Sequence, residues 1–185
     1  MANMGNEKTP TWSQVKGRLA ALDKDDLLKL LRDLYRLNAD NRIYLLTNLE
    51  MRIAPSLVER YRRAIRREFN PDRGFPRLDI ANARKQLDEF KKVCADLRSV
   101  IDLMVYYVEQ GVACTNQYGD IDARFYSSLE SVFSEAITLI RESGDQALIE
   151  EFHSRLESIV YETSGIGWGF HDYLSDVFYN EYHES

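Results

Sequence analysis

The stretch of this sequence that looks most like a ligand-binding loop is "SGIGWGF", residues 164–170, where three glycines stand at alternate positions. A phosphate-binding loop follows a strand and brings backbone N–H groups to the phosphate at a helix N-terminus. Here the spacing is GxGxG, a helical pattern precedes the segment and no lysine follows it. We therefore interpret it as a joint between two helices, with Ile166, Trp168 and Phe170 filling the end of a bundle. The N–H groups at the start of the last helix are still suited to an anion.

A second group with chemical potential is a cluster of arginines on one predicted helix. The cluster consists of Arg60, Arg62, Arg63, Arg66 and Arg67. Such a stripe of guanidinium groups binds phosphates, as nucleic-acid binding requires. The other interpretations are a solvated face and a face that meets the acidic half of the chain. No aromatic residue alternates with these arginines as base stacking would need, so nucleic-acid binding is an alternative function and not the first one.

The histidines raise the question of a metal site. Glu150-x-x-His153 matches half of the paired Glu-x-x-His arrangement of di-iron helical bundles. The other half is missing, because neither His171 nor His183 has a glutamate three residues before it. A metal or small-ligand site near Glu150, His153 and His171 is therefore the weakest alternative. We assign no catalytic residue, no metal ligand and no cofactor, and we expect the protein not to be an enzyme.

Aromatic residues gather towards the C-terminus. Eight of the eleven tyrosines lie in the second half of the chain, and the short last helix carries several of them beside a tryptophan. One face of so short a helix cannot bury that much aromatic surface, and an exposed remainder suits a protein contact. We therefore predict an aromatic contact surface made of Trp168, Phe170, Tyr173, Tyr179 and Tyr182.

The composition is that of a globular protein, with 44% hydrophobic and 29% charged residues in a chain of 185. No apolar run is long enough to cross a bilayer, and the N-terminus lacks the basic and apolar segments of a secretion signal. We therefore expect a cytoplasmic protein without membrane contact, in which Cys94 and Cys114 are reduced and packed. Residues 1–10 are predicted to form a disordered tail.

Charge is segregated along the chain, whose net charge is −6. Residues 1–41 carry 7 basic and 6 acidic side chains, residues 42–98 carry 14 and 8, and residues 99–185 carry 3 and 16. Such polarity steers an oppositely charged partner or a second copy of the chain. The basic middle and the acidic second half are therefore predicted to form separate contact surfaces.

Hydrophobic periodicity is helical throughout, so we predict an all-α multi-helix bundle. Residues 11–70 are predicted to form an N-terminal helical subdomain. In this subdomain the leucines of "KDDLLKLLRDLYRL" form a stripe that we expect to be buried. The segment "NPDRGFPR", residues 70–77, has two prolines and a glycine and marks a boundary. Residues 71–185 then form a four-helix unit, either as a separate domain or in one continuous domain with the first part.

The most regular pattern is a seam of nine apolar residues that alternate steps of three and four. They are Ile80, Ala83, Leu87, Phe90, Cys94, Leu97, Ile101, Met104 and Val108. No proline or glycine interrupts the seam. It predicts one long central helix, about residues 79–110, around which the other helices of the bundle pack.

Two segments, "YYVEQGV" at residues 106–112 and "YGDIDARFYSSLESVF" at residues 118–133, carry a resemblance. With "LDKDDLLKLLRDLYRLNADNRIYLLTNL" near the N-terminus, the sequence resembles a family of small bacterial all-helical proteins of unknown function over about residues 19–140. The resemblance implies a bacterial, soluble, helical protein. It brings no catalytic residues to assign.

These observations predict a non-catalytic protein–protein interaction or adaptor protein. Its partner is an unknown protein or a second copy of the chain. The alternatives are nucleic-acid binding through the helix that carries Arg60 to Arg67, and the site near Glu150, His153 and His171.

Overall fold

The computed structural model describes residues 9–182, and in this part of the chain it contains nine α-helices and no strand. The predicted all-α class is therefore confirmed. The chain divides into two compact units, Met1–Arg42 and Ile43–Ser185. The boundary predicted near residue 70 falls inside the second unit. A disordered tail was predicted at residues 1–10, and residues 1–8 of this segment lie outside the described part of the chain.

The first unit contains two helices and the start of a third. They are α1 (Trp12–Ala20), α2 (Lys24–Leu37) and α3 (Ala39–Asn48), which continues into the second unit. Asp23 caps α2, since its carboxylate accepts the backbone N–H of Asp26 at 2.8 Å. Asn38 accepts the N–H of Asn41 at 2.8 Å at the start of α3. Asp40 lies inside the first turn of that helix.

The second unit contains the remaining helices. They are α4 (Pro55–Phe69), α5 (Ile80–Val93), α6 (Leu97–Tyr118), α7 (Ala123–Ser143), α8 (Gln146–Glu162) and α9 (Phe170–Asp176), and a π-helical segment, Val177–Tyr182, follows α9. Aspartates begin four of these helices, because Asp79, Asp96, Asp122 and Asp145 each accept a backbone N–H of the first turn. Among residues 9–182, no helix has both the length and the apolar composition that crossing a bilayer takes.

The central helix predicted to run over residues 79–110 is interrupted, and two helices, α5 and α6, take its place. Cys94 ends α5 with an extended backbone, ψ 112°. Asp96 then begins α6 by accepting the backbone N–H of Ser99 at 3.1 Å. The prediction of a continuous helix was wrong because a heptad pattern reports which side chains face inward and not whether the backbone between them stays helical.

The seam itself is the core of the second unit, in spite of the break. Ala83, Leu87 and Phe90 in α5 are completely buried, and so are the seam residues Ile101, Met104 and Val108 in α6. Helices α4, α7 and α8 pack against α6. Edge-to-face ring pairs join α4 to α5 and to α6, with 5.0 Å between the ring centroids of Tyr61 and Phe90 and 5.2 Å between those of Phe69 and Tyr107.

Helices α6 and α7 approach each other closely at Gly111. A Cβ atom placed there would lie 2.4 Å from Cδ2 of Leu129, which is completely buried. The contact therefore leaves no room for a side chain at this position of α6.

Candidate interaction surfaces

One face of α2 exposes apolar side chains in the first unit. We define the leucine face of α2 as Leu30, Leu31, Leu34 and Leu37, whose side chains are 41–72% exposed. No side chain of α1 or α2 is buried. The prediction of a buried leucine stripe is therefore wrong, because an amphipathic pattern shows which face favours burial but not that the same chain covers it.

The opposite face of α2 is charged and mixed in sign. Nζ of Lys29 lies 2.7 Å from Oδ1 of Asp26, and Nε of Arg32 lies 3.5 Å from Oδ1 of Asp33. These ion pairs are exposed and contribute little to stability. They keep one side of α2 in water, so the leucine face is the side available for a partner.

The basic middle and the acidic second half of the chain partly neutralise each other within the second unit. Arg62 forms an ion pair with Asp102 of α6 and lies 4.8 Å from the ring centroid of Tyr106. Arg155 of α8 donates to the same Asp102 at 2.7 Å and to both carboxylate oxygens of Glu109 at 2.7 and 2.8 Å. Burial alone lowers the pKa of Arg155, but these carboxylates outweigh it and raise the pKa.

The other arginines of α4 differ in what they contact. Three have a polar partner nearby: Arg60 donates to the hydroxyl of Tyr61 at 2.7 Å, Arg63 lies 3.9 Å from Glu59, and Arg66 lies 3.0 Å from Asp72. Arg67 is exposed, and it has no ion pair with any residue that the structure describes. The five arginines therefore do not form the single phosphate-binding stripe that the sequence pattern suggested.

Arg67 borders an open cleft of about 510 Å³ at the C-terminal end of α4. The loop after α4 supplies the other lining residues, which are Pro71, Asp72, Arg73, Phe75 and Arg77. Arg73 and Arg77 are exposed and, like Arg67, have no ion pair within residues 9–182. We call the surface formed by Arg67, Arg73, Arg77 and Phe75 the arginine cleft.

The arginine cleft includes an aromatic side chain that the sequence analysis missed. Phe75 is 85% exposed, and its ring centroid lies 6.4 Å from that of Tyr118 at the end of α6. The segment "DRGFPR" contained a local signal, since a phenylalanine stands there between two arginines in a turn-forming sequence. The nearness of Tyr118, by contrast, depends on the packing of α6 beside the loop.

The predicted aromatic contact surface is smaller than expected. Trp168, Tyr173 and Tyr179 are exposed, but Phe170 is completely buried and Tyr182 is 4% exposed. The ring of Phe170 packs against Tyr126, with 4.9 Å between the centroids, and the hydroxyl of Tyr182 donates to the carbonyl oxygen of Ile149. Phe170 and Tyr182 therefore belong to the interior, because the last helix can turn part of its aromatic surface inward.

The glycine segment joins α8 to α9, as its flanking helical patterns predicted. Gly165 and Gly169 have φ angles of +89° and +72°, which glycine adopts without strain. Trp168 has a φ of +65°, which is unfavourable for a residue with a Cβ atom. Helix α9 has seven residues, so its N-terminus is a weak anion site.

The residues of the metal hypothesis have separate roles. His153 stacks on Tyr182 with 5.7 Å between ring centroids, while Nδ1 of His171 lies 3.0 Å from the hydroxyl oxygen of Thr163. Oε1 of Glu150 lies within 3.5 Å of Gln146. In the described part of the chain, no three histidine, cysteine, aspartate or glutamate side chains stand close enough to hold a metal ion. The hypothesis therefore has no ligand set among these residues.

The two cysteines are free and buried. Burial raises the pKa of the Cys94 thiol to about 11 and that of the Cys114 thiol to about 11. A nucleophilic cysteine needs a lowered pKa and access to solvent. Both thiols are therefore packing residues.

These features define an all-α protein with an exposed apolar helix face and a basic cleft. The chain belongs to DUF6155, a family of unknown function, whose model matches residues 12–181. This match is wider than the resemblance seen over residues 19–140, and it includes the glycine segment at residues 164–170. Comparison with curated proteins and with solved structures gives no match.

Proposed function

We propose that this protein is a non-catalytic interaction protein that assembles through the leucine face of α2, and that the occupant of this face is a second copy of the chain. The observation that carries the proposal is the 41–72% exposure of four leucines on one side of a helix. Removing apolar surface from water contributes about 25 cal/mol per Å². An amphipathic helix without cover in its own unit is therefore expected to associate.

The small size of the first unit supports a second copy as the occupant. Neither α1 nor α2 has a buried side chain, so neither helix contributes to a core within this unit. The first unit spans 42 residues, close to the size of about 40 residues below which a chain usually needs metals, disulfides or oligomerisation to be stable. Two α2 helices that meet through their leucine faces would form an isologous interface, in which the same patch of each copy is covered.

The charge distribution also supports self-association through the first unit. Residues 1–41 carry 7 basic and 6 acidic side chains, so two copies of this unit would repel each other little. Residues 99–185 carry 3 basic and 16 acidic side chains, and two such surfaces would repel. The near-neutral unit is therefore the better place for contact between copies.

The test is the mass of the full chain in solution, measured by sedimentation equilibrium over a range of concentrations. We expect a dimer for the natural sequence and a monomer for the double variant Leu30→Asp/Leu34→Asp. The matched control is Lys29→Gln/Arg36→Gln, which changes the net charge by the same amount on the charged side of α2 and should remain dimeric. Circular dichroism of each variant checks that its helix content is retained.

Two outcomes would refute this proposal. One is a natural chain that stays monomeric at the highest concentration. The other is a Leu30→Asp/Leu34→Asp variant that dimerises as tightly as the control, which would place the contact elsewhere on the chain.

We infer that this assembly acts in the cytoplasm, where the free thiols of Cys94 and Cys114 would stay reduced. The alternative of nucleic-acid binding along the whole α4 face has less support, because Arg62 has an acidic partner on α6. The alternative of a metal site has no support among the described residues.

A further inference from the structure

We propose that the arginine cleft binds single-stranded nucleic acid, with backbone phosphates on Arg67, Arg73 and Arg77 and a base stacked on Phe75. This is a second activity, separate from self-association, since it uses none of the residues of α2. It also differs from the stripe predicted on α4, because Arg67 belongs to both but Arg73 and Arg77 come from the following loop.

The arginine cleft carries a net positive charge. Arg67, Arg73 and Arg77 are exposed and have no carboxylate partner in the part of the chain that the structure describes. Asp72 also lines the cleft, but Arg66 lies 3.0 Å from one of its oxygens and 3.1 Å from the other and balances its charge. Three positive charges therefore remain, on side chains whose planar guanidinium groups bind phosphate oxygens in pairs.

An aromatic side chain stands among these charges. Phe75 is 85% exposed, which leaves the ring open to a planar ligand. Tyr118 stands beside it, with 6.4 Å between the ring centroids and 60° between the ring planes. Positive groups that follow a phosphate backbone, combined with a ring on which a base stacks, are typical of proteins that bind single strands.

The exposed ring favours a single strand over a duplex as the ligand of the cleft. The bases of a duplex are stacked on each other, so none of them can lie on Phe75 without being unpaired. The volume of the cleft, about 510 Å³, is in the range of sites for small ligands. A nucleotide of a flexible single strand matches both the ring and the volume.

The loop that follows α4 is anchored at both ends. The backbone N–H of Leu78 donates to the carbonyl oxygen of Glu68 at 3.0 Å, which closes the loop onto α4. At the other end, Nδ2 of Asn70 donates to the carbonyl oxygen of Gln110 at 2.7 Å. A loop that is already held in place loses less conformational entropy when it binds a ligand.

The experiment is fluorescence anisotropy of labelled 12-nucleotide single strands, one of DNA and one of RNA, titrated with the full-length chain at several salt concentrations. Three phosphate contacts predict that the logarithm of the affinity falls with the logarithm of salt concentration with a slope of about −2. Arg67→Gln/Arg77→Gln should weaken binding at least tenfold and reduce the slope. Phe75→Ala should weaken it about tenfold at every salt concentration, and Phe75→Trp should retain it.

The matched control is Arg60→Gln/Arg63→Gln, which removes the same number of arginines from the same helix but outside the cleft. Its affinity should stay within about twofold of the natural chain. The DNA and RNA arms show which sugar the cleft accepts, and tight binding of either supports the proposal.

Three results would overturn the proposal: no binding of either single strand at low salt, equal losses in the two double variants, or binding of a duplex as tight as that of the single strands. Unchanged affinity in Phe75→Ala would overturn the stacking role of the ring. None of these results bears on self-association, which is measured on the leucine-face variants.

Discussion

The hydroxyl oxygen of Thr163 lies 3.0 Å from Nδ1 of His171, across the glycine segment at residues 164–170. Thr163 is completely buried and also contacts the carbonyl oxygen of Val160 at 2.7 Å. A carbonyl only accepts, so the single hydroxyl proton goes to Val160, and Nδ1 of His171 must donate to the hydroxyl. This bond holds α9 against the end of α8, and the packing of Phe170 on Tyr126 holds α9 against α7.

The first prediction tests this bond. Thr163→Val removes the acceptor of the His171 N–H and should lower the free energy of unfolding by about 1–2 kcal/mol. Thr163→Ser keeps the hydroxyl and should lose less. Urea denaturation followed by circular dichroism measures both. A loss in Thr163→Ser as large as that in Thr163→Val would show that the hydroxyl group contributes no more than the threonine methyl group.

The second prediction concerns the ion pairs between the basic and acidic parts of the chain. Arg155 is 31% exposed and pairs with Glu109 and Asp102, whereas Arg98 is 60% exposed and pairs with Glu151. Arg155→Met should lower the free energy of unfolding by about 2 kcal/mol, because it leaves two half-buried carboxylates with fewer partners. Arg98→Met should cost less than about 1 kcal/mol. If urea denaturation gives the same loss of unfolding free energy for both variants, the ion pairs of Arg155 stabilise the fold no more than the exposed ion pair of Arg98.

The third prediction concerns the close approach of α6 and α7. Gly111→Ala places a Cβ atom against Leu129, and the crowding should cost about 1–3 kcal/mol. The better helix propensity of alanine returns about 1 kcal/mol, so we expect a net decrease in the melting temperature. Gly17→Ala in α1 meets no atom within 4 Å and is the control, expected to be neutral or stabilising. A higher melting temperature for Gly111→Ala would show that Leu129 moves aside at little cost.

The fourth prediction follows from the raised thiol pKa values of Cys94 and Cys114, both about 11 because of burial. The unfolded chain ionises its thiols near pH 8.5, so the folded state favours the neutral form. The stability gained in this way is complete below the unfolded pKa and is lost as the pH rises towards 11. The urea concentration at the unfolding midpoint should therefore decrease as the pH is raised from 8.5 to 11. The decrease should be smaller in Cys94→Ala/Cys114→Ala. A double variant with the same pH dependence as the natural chain would contradict this assignment.

The same burial makes a kinetic prediction about these thiols. A disulfide reagent added at pH 8 should react with Cys94 and Cys114 slowly in the folded protein and rapidly in urea, since the thiolate is the reacting form. Fast reaction of either thiol without urea would show that it is accessible.

Much of the fold was predictable because it depends on neighbours in the chain. A side-chain oxygen that accepts an N–H group two or three residues further along the chain is a local signal for a helix start, and Asp23, Asp122 and Asp145 each make this contact. The apolar seam from Ile80 to Val108 likewise identified the core face. Local signals compete, however, and the cap at Asp96 interrupted the seam where periodicity alone predicted continuity.

The candidate sites were less predictable, because they depend on residues that are distant in the sequence. Arg62 looked free until α6 brought Asp102 to it, and Phe75 looked isolated until the end of α6 placed Tyr118 beside it. The leucine face of α2 is another such case, because its local pattern does not show whether other helices cover it. Amphipathicity, capping and charge are properties of short segments and are readable in the amino-acid order. Which charges are neutralised, which rings meet and which apolar faces stay open depend on how the helices pack, since those contacts join parts of the chain that no local pattern relates.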